Sequence, residues 1–452
     1  MTAADRRRVV VTGMGAVTAA GAGVERFWRA CVEGRSALGP ITRFDAGGFG
    51  ITRAGEAAWL GPEGRASTAS DDGAGPVGRE RQRATLDSGR SGGPTYSTPV
   101  RGAEIARPCT EADDAASAAE PAAWFALEAA REAVEQAGLD SSSIPASSGV
   151  ALGTCLGGAV VAFHRLGMPS VGETAPRPDP SPSSWTLSAP TVRLAGAYGL
   201  EGPVVTLSTA CASGAAAIAH ATDCIRRGET ELMLAGGTDA LTLFVVSGFA
   251  ILRALTRDTV RPFDRRRDGL ALGEGAGVVV LEERDRALRR GAPVLAEILG
   301  SGSAGDATHM TGPSPTGDGV VRAVLAALRD ARVGAETVEF ISAHGTATPF
   351  NDRMETIAFK RVFAERARSI PVNSIKPVIG HTLGAAGALE GIMCVKVLVK
   401  GIVPPTINYA EPDPECDLDY VPNVARGHRA RCVLSCSSAF AGNNAALLLG
   451  AP

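Results

Sequence analysis

Short apolar strands that end in glycine alternate with helices along this chain, and near Val294 the alternation starts over. The pattern predicts strands at Arg8–Gly15, Val150–Gly158, Val204–Leu207, Glu231–Ala235 and Gly273–Glu282. Between them it predicts helices at Gly23–Glu33, Ala122–Ala137, Ala189–Tyr198 and Ala215–Arg227. After Val294 come strands at Leu295–Leu299, Val338–Ala343 and Pro371–Ser374, and helices at Gly319–Ala331, Arg353–Ala367 and Gly384–Lys400. A closing strand pair follows near Arg431–Ser435 and Asn444–Leu449. Alternation of this kind implies α/β architecture, with sheets covered by helices on both faces. Two similar halves are expected, residues 1–290 and 291–452, with a ligand site where they meet.

Composition removes several classes of function. The formal net charge is −3, and Arg and Asp/Glu are interspersed rather than blocked, so neither nucleic acid nor an anionic membrane is an expected partner. Nine cysteines are scattered without paired spacing, which suggests no disulfide framework and no metal site, and fits a reducing cytoplasm. No signal-peptide pattern and no run of about 20 apolar residues is found. From Trp59 to Glu120, Gly, Ser, Pro, Arg and Asp dominate and no apolar period survives; residues 59–120 read as a long surface insertion in the first half.

One stretch, Val-Val-Thr-Leu-Ser-Thr-Ala-Cys-Ala-Ser-Gly (204–214), carries an apolar strand into small residues and then a helix. Cys211 is placed on the tight turn between a buried strand and a helix N-terminus, where the helix dipole favours a thiolate. Its own backbone N–H is a candidate oxyanion donor. Alone, such a cysteine is as well read as a small buried hydrophobe. Two histidines change the balance. His344, in Ser-Ala-His-Gly-Thr-Ala-Thr-Pro, lies just past a predicted strand, and His381, in Gly-His-Thr-Leu-Gly-Ala-Ala-Gly, lies at the turn into a small-residue helix. The other four, His164, His220, His309 and His428, read as surface or packing residues. A thiol with two imidazoles fits a cysteine hydrolase, in which one His is the base, or a site where two neutral imidazoles donate N–H groups to an enolate oxygen. Composition leaves both open.

Six segments occur in order: Thr-Ala-Cys-Ala-Ser-Gly, Ala-Gly-Gly-Thr-Asp-Ala (235–240), Arg-Pro-Phe-Asp (261–264), Arg-Asp-Gly-Leu-Ala-Leu-Gly-Glu-Gly-Ala-Gly, Ala-His-Gly-Thr-Ala-Thr-Pro and Gly-His-Thr-Leu-Gly-Ala-Ala-Gly. Together they resemble the β-ketoacyl-acyl-carrier-protein synthases, the elongating ketosynthases of fatty-acid and polyketide assembly, over nearly the whole chain outside 59–120. The resemblance implies a thiolase fold, two αβαβα halves stacked in five layers, and a dimer, either of identical chains or with a chain-length-factor-like subunit. It implies decarboxylative Claisen condensation: Cys211 takes an acyl chain, malonyl on acyl carrier protein loses CO₂, and His344 and His381 stabilise the enolate oxygen. No cofactor is implied beyond the phosphopantetheine that carries the substrates. The family pattern places Lys376 in a charge network with Glu390, Asp352 and Glu355, and gives Thr346 and Thr348 the role of hydrogen-bonding the phosphopantetheine arm.

The chain departs from the family at Ser438-Ala439-Phe440-Ala441-Gly442-Asn443-Asn444, where elongating synthases carry Phe-Gly-Phe-Gly-Gly-Thr-Asn. In the family this loop supplies a second oxyanion N–H and a phenylalanine gate, here Phe440. Alanine in place of glycine is expected to forbid positive φ and stiffen the gate. Leu270, where a Phe often stands, is expected to widen the space near the site. The alternatives are a non-elongating partner subunit, which would lack the nucleophile, and an acyltransferase without decarboxylation. A degradative thiolase would need a second reactive Cys; Cys436 is near, but the residues after it resemble the ketosynthase loop.

Overall fold

The computed structural model describes residues 6–57, 120–140, 142–166 and 182–452; the expected insertion at 59–120 lies outside the described residues apart from Glu120. Ten strands concern the site. The first five are β1 (Val9–Thr18), β2 (Gly149–Gly153), β3 (Val204–Leu207), β4 (Leu232–Asp239) and β5 (Gly275–Glu283). The second five are β6 (Ala296–Gly305), β7 (Phe340–Ser342), β8 (Val372–Asn373), β9 (Cys432–Ser438) and β10 (Asn443–Gly450). They lie in the order β8-β7-β9-β10-β6-β1-β5-β4-β2-β3. Counted within its own five, each set runs third, second, fourth, fifth, first. The directions also agree: the second strand is parallel to the third and fourth, and the other two pairings are antiparallel. The two sets meet at β1 and β6, with Val10 opposite Glu297 and Val11 opposite Ala296.

Eight of the helices position the site: α1 (Val24–Glu33), α2 (Pro121–Gln136), α3 (Ala189–Ala197), α4 (Ser213–Arg227), α5 (Leu243–Ile251), α6 (Asp318–Ala331), α7 (Pro349–Phe363) and α8 (Ala386–Lys400). Strand periodicity decides which core each side chain enters. Val279 and Leu281 of β5 face a cluster with Ile218 and Ile225 of α4 and Ile392 and Met393 of α8, which also takes Val433 of β9 and Leu447 and Leu449 of β10. Their neighbours Val278 and Val280 turn the other way, onto Phe125 and Ala129 of α2 and Leu194 of α3. Leu434 and Leu448 likewise turn onto Val324 of α6 and Phe359 of α7. The helices α4 and α8 are therefore a shared middle layer between the two half-sheets, with α2 and α3 outside one and α6 and α7 outside the other. This is the thiolase fold, duplicated αβαβα halves in five layers.

Several boundaries differ from the sequence pattern for physical reasons. The strand β1 does not stop at the glycines but runs on to Thr18. A Cβ at Gly13 or Gly15 would lie 1.9 or 1.8 Å from a carbonyl oxygen of α2, so these glycines admit a helix backbone onto the strand. Similarly β4 passes through Gly236 and Gly237 to Asp239, and a Cβ at Gly237 would meet Gly384 O at 2.3 Å. Helix α7 begins at Pro349, four residues before the expected Arg353, because proline needs no hydrogen-bond partner in a first turn. The expectation that β3 is buried is corrected: it is an edge strand with Val204 43% exposed. The opposite edge, β8, is covered, its Val372 N–H bonded to Asp419 O at 2.8 Å. Among the described residues no helix is long and apolar enough to cross a membrane.

Candidate active site

Cys211 sits on the turn from β3 into α4, 5% exposed, after Ala210 at φ 51°. The Ser213 hydroxyl tightens that turn, donating to Ala210 O at 2.6 Å and accepting Thr209 N–H at 2.8 Å. No side chain caps α4, so its N-terminal dipole is left to the turn. Gly214 lets α4 approach the start of α8: a Cβ there would meet Gly384 O at 2.7 Å. In this way the first half's nucleophile turn is pressed against the His381 turn of the second half.

His344 follows β7 by two residues. Its backbone N–H and that of Gly345 donate to the two Glu355 oxygens, both at 2.7 Å, which fixes the loop. The Lys376 ammonium donates to His344 Nδ1 at 3.3 Å, to His344 O, and to Glu390 Oε1 at 2.5 Å. Burial, with Lys376 and His381 adding to it, holds the His344 imidazole well below its usual range, so the ring is neutral. With Lys376 donating to Nδ1, the ring proton resides on Nε2. His381 is placed by Ala271 O and Gly273 N–H, and its Nδ1 accepts Leu383 N–H at 3.3 Å. Its Nε2 therefore also bears a proton. The two rings stand edge to face, centroids 5.1 Å apart. Together with Cys211 they line a narrow cavity of about 60 Å³.

Of the three carboxylates expected around Lys376, one bonds it directly. Glu390, 2% exposed, pairs directly with Lys376. Glu355 serves the His344 loop and Asn351 Nδ2, and burial raises its carboxyl to about 7. Asp352 does not bond Lys376: its Oδ2 accepts Phe263 N–H at 2.7 Å, and burial raises it to about 6. It ties the Arg-Pro-Phe-Asp segment to α7 instead. Thr346 and Thr348 line the cavity with hydroxyls 2.8 Å apart. Leu270 lines it as well, as expected of a residue near the site.

Phe440 lines the cavity and stacks on Phe249 of α5, centroids 5.3 Å apart. Its loop is held by Ala441 N–H to Met310 O at 2.7 Å and by Asn444 Nδ2 to Asp306 Oδ1 at 2.9 Å. The expectation that alanine excludes positive φ here is corrected: Ala441 adopts φ 61°, ψ 12°. An L side chain in that region stores strain, on the order of 1 kcal/mol.

Two neighbours escaped the sequence reading. Asp239, fully buried, accepts Thr154 Oγ1 and Cys155 N–H at 2.8 Å each, Leu156 N–H at 2.9 Å and Gly384 N–H at 2.6 Å. Half-buried Cys155 follows β2 by two residues and is held through its backbone N–H by Asp239. The Cys211 thiol lies well below its usual range, first through the neighbouring Cys155 thiol, against burial, with His381 and Lys376 adding to the effect. The signals were the Asp inside Ala-Gly-Gly-Thr-Asp-Ala and a cysteine at a strand end, each ordinary by itself. Among the described residues no three His, Cys, Asp or Glu side chains form a group suited to a metal ion.

The profile described as "Beta-ketoacyl synthase, N-terminal domain" matches residues 6–62 and 107–287, and that described as "Beta-ketoacyl synthase, C-terminal domain" matches residues 295–410. The tetracenomycin polyketide synthase ketoacyl synthase alpha subunit of Streptomyces glaucescens is 38% identical, over 100% of this chain and 99% of its own length. The ishigamide ketosynthase/chain length factor structure superposes with a TM-score of 0.80 at 35% identity, over 99% of this chain and 100% of its own. A type II polyketide synthase ketosynthase bound to a hexaketide, in complex with its acyl-carrier protein, gives a TM-score of 0.80 at 30% identity, over 99% and 100% of the two chains. Matched in both halves and alike from end to end to such relatives, the chain belongs to the β-ketoacyl synthase family, the condensing acyltransferases of fatty-acid and polyketide assembly.

Proposed function

We propose that the chain elongates an acyl group held on Cys211, with malonyl on acyl carrier protein as the two-carbon donor. The observation that carries this reading is the pair of imidazoles, each with Nδ1 already engaged so that Nε2 is left to donate, beside a buried thiol. The Cys211 sulfur attacks the incoming thioester carbonyl, a new C–S bond forms, and the carrier thiolate departs. Malonyl carrier then loses CO₂, and the electron pair moves into an enolate whose oxygen takes hydrogen bonds from His344 and His381. A well-placed donor of this kind is worth roughly 3–4 kcal/mol in a water-poor site. The enolate carbon attacks the Cys211 thioester. Backbone N–H groups of Cys211 and of the Phe440 loop receive the oxyanion, and collapse releases the β-ketoacyl carrier and the Cys211 thiolate.

The other residues support these steps. Lys376 and Glu390 fix the His344 ring and tautomer; Glu355 and Asp352 fix the backbone around it. Thr346 and Thr348 take the phosphopantetheine arm, and Phe440 with Phe249 gates the acyl chain. No resident cofactor is called for. The divide between halves is placed near residue 290, in keeping with the repeated strand order and with profile matches that end at 287 and resume at 295. The unprotected edge β3 suits pairing with a second subunit, identical or chain-length-factor-like, in line with the likeness to the ishigamide ketosynthase/chain length factor. Eight free cysteines among the described residues suit a reducing, cytoplasmic setting. Polyketide or specialised fatty-acyl synthesis is the expected pathway class.

Intact-protein mass spectrometry tests the reading. Wild type exposed to acyl carrier and then malonyl carrier should gain an acyl adduct and discharge it as a product two carbons longer, and Cys211→Ala should do neither. An adduct that persists without CO₂ release would make the protein an acyltransferase without decarboxylation.

A further inference from the structure

We infer that Ser438 sets which acyl chains the site accepts: its hydroxyl donates a hydrogen bond to an oxygen on the third carbon of the chain held by Cys211, as in a β-ketoacyl or β-hydroxyacyl thioester. The inference rests on the reading of Cys211 as the acyl acceptor and names the class of chain that it takes.

Ser438 is the last residue of β9 and lines the cavity together with Cys211, His344 and His381. Strand alternation turns it away from Ser437, whose hydroxyl lies 3.5 Å from Glu390 Oε2. Its backbone is fixed opposite Asn444 of β10, and the next residue, Ala439, donates its N–H to Asn443 O at 2.8 Å. Ser438 is 6% exposed, and its hydroxyl has no hydrogen-bond partner among the described residues. A buried hydroxyl left unpaired costs stability, so one kept at the wall of a reaction cavity is matched to a group that enters it.

Neighbouring polar groups are already engaged. The Thr346 and Thr348 hydroxyls bond each other at 2.8 Å, the Asn351 amide donates to Glu355 Oε2 at 2.8 Å, and the Asn444 amide donates to Asp306 Oδ1 at 2.9 Å. No Lys or Arg lines the cavity among the described residues, so selection there is by hydrogen bonding and not by cationic charge. In the proposed reaction the enolate oxygen takes the two imidazole donors and the Cys211 thioester oxygen takes backbone N–H groups, which leaves Ser438 for an oxygen further along the chain. Ser438 precedes Phe440 by two residues, and the Phe440–Phe249 stack gates the chain, so the hydroxyl stands beside the chain's path. In a cavity of about 60 Å³ that Cys211 also lines, a chain atom beside Ser438 is a few bonds from the thioester carbon. The third carbon is where each condensation leaves an oxygen. The sequence points the same way, with a donor, Ser438, where elongating members of the family carry an apolar phenylalanine.

The test uses acyl carrier protein bearing acetoacetyl, 3-hydroxybutyryl or butyryl, chains of equal length, with wild type and Ser438→Ala. Loading of Cys211 is followed by intact-protein mass spectrometry, and elongation with malonyl carrier by product analysis. Wild type should take one or both oxygenated chains roughly tenfold better than butyryl by kcat/KM, and Ser438→Ala should bring that ratio close to one. The acetoacetyl and 3-hydroxybutyryl arms tell whether the chain returns as the ketone or the alcohol. Because the hydroxyl has no partner within the protein, Ser438→Ala should unfold at a temperature no lower than wild type. A wild type without preference for the oxygenated chains, a preference that survives in Ser438→Ala, or a lower unfolding temperature that marks a structural bond would each overturn the inference. So would an equal fall for all three chains with a raised KM for malonyl carrier, which would assign the hydroxyl to the donor unit. Failure of the elongating reading is distinguishable: Cys211 would then load the chains and extend none, and the loading ratios would still decide the role of Ser438.

Discussion

The two halves repeat one topology and use its equivalent places for opposite chemistry. In the first half, the ends of the second and third strands present Cys155 and Cys211; in the second, they present His344 and His381. The Cys155 turn is held by a buried carboxylate that accepts backbone N–H groups, Asp239, and the Cys211 turn by the Ser213 hydroxyl. His344 of the imidazole pair is held by an ammonium, Lys376, and a carboxylate that neutralises it. The difference teaches that the duplicated scaffold supplies geometry, two side chains at the mouth of each half-sheet, while the choice of residue supplies nucleophile or oxyanion donor.

This division can be broken or sharpened by experiment. Cys211→Ala should lower product formation by at least about 10⁴-fold while CO₂ release from malonyl carrier continues, because the imidazole pair remains intact. Loss of both would mean that the halves do not divide the work. Lys376→Met should cost roughly 3–5 kcal/mol in denaturant unfolding, since it strands the buried Glu390 charge, and Glu390→Gln added to it should restore part of that stability. His344→Ala should lower CO₂ release by about 10²–10³-fold while leaving acyl loading on Cys211 within a few-fold; an equal fall in loading would erase the contrast.

A smaller effect comes through protons. The folded state holds Glu355 near 7 and Asp352 near 6, above their usual range, first through burial. Between the unfolded and folded values the native state binds more protons than the unfolded chain, so these groups favour folding at low pH and lose that contribution as pH rises through 6 to 7. Thermal unfolding of Glu355→Gln across pH 4.5 to 7.5 should show a shallower decline than wild type, with the Asp352 part retained. The smallest change expected is in Ala441→Gly, which should stabilise the protein by roughly 0.5–1 kcal/mol by relieving the strained loop.

How much of this was legible in the sequence follows from where information is local. Cys211, His344 and His381 lie at strand ends among small residues, a setting that period and composition expose, and the restart near Val294 exposes the duplication. Glu390 as the partner of Lys376 came through the resemblance and is a direct contact. Asp352 came through the resemblance too, but the backbone N–H it meets, that of Phe263, is far from it in sequence and carried no local sign. The surroundings of Cys155 stayed hidden because they depend on the approach of β2 to α4, which are far apart in the chain. The glycines of β1 and β4 were misread as ends because a glycine that stops a strand and one that admits a crossing backbone look the same in sequence. Ala441 shows the converse: a residue type that disfavours a conformation adopts it when flanking hydrogen bonds demand it.

The strand β1 has a consequence for how the chain is made. Ten buried residues beginning at Val9 find their main partner only in β5, where Val9 lies opposite Glu283 and Val17 opposite Ala276. At a synthesis rate of roughly 5–20 residues per second, this apolar segment leaves the ribosome on the order of 15–50 s before its partner exists. Until that partner is made its apolar side chains lack their main cover, and substitutions in it should show first as lost yield of soluble protein, before any change in the finished enzyme.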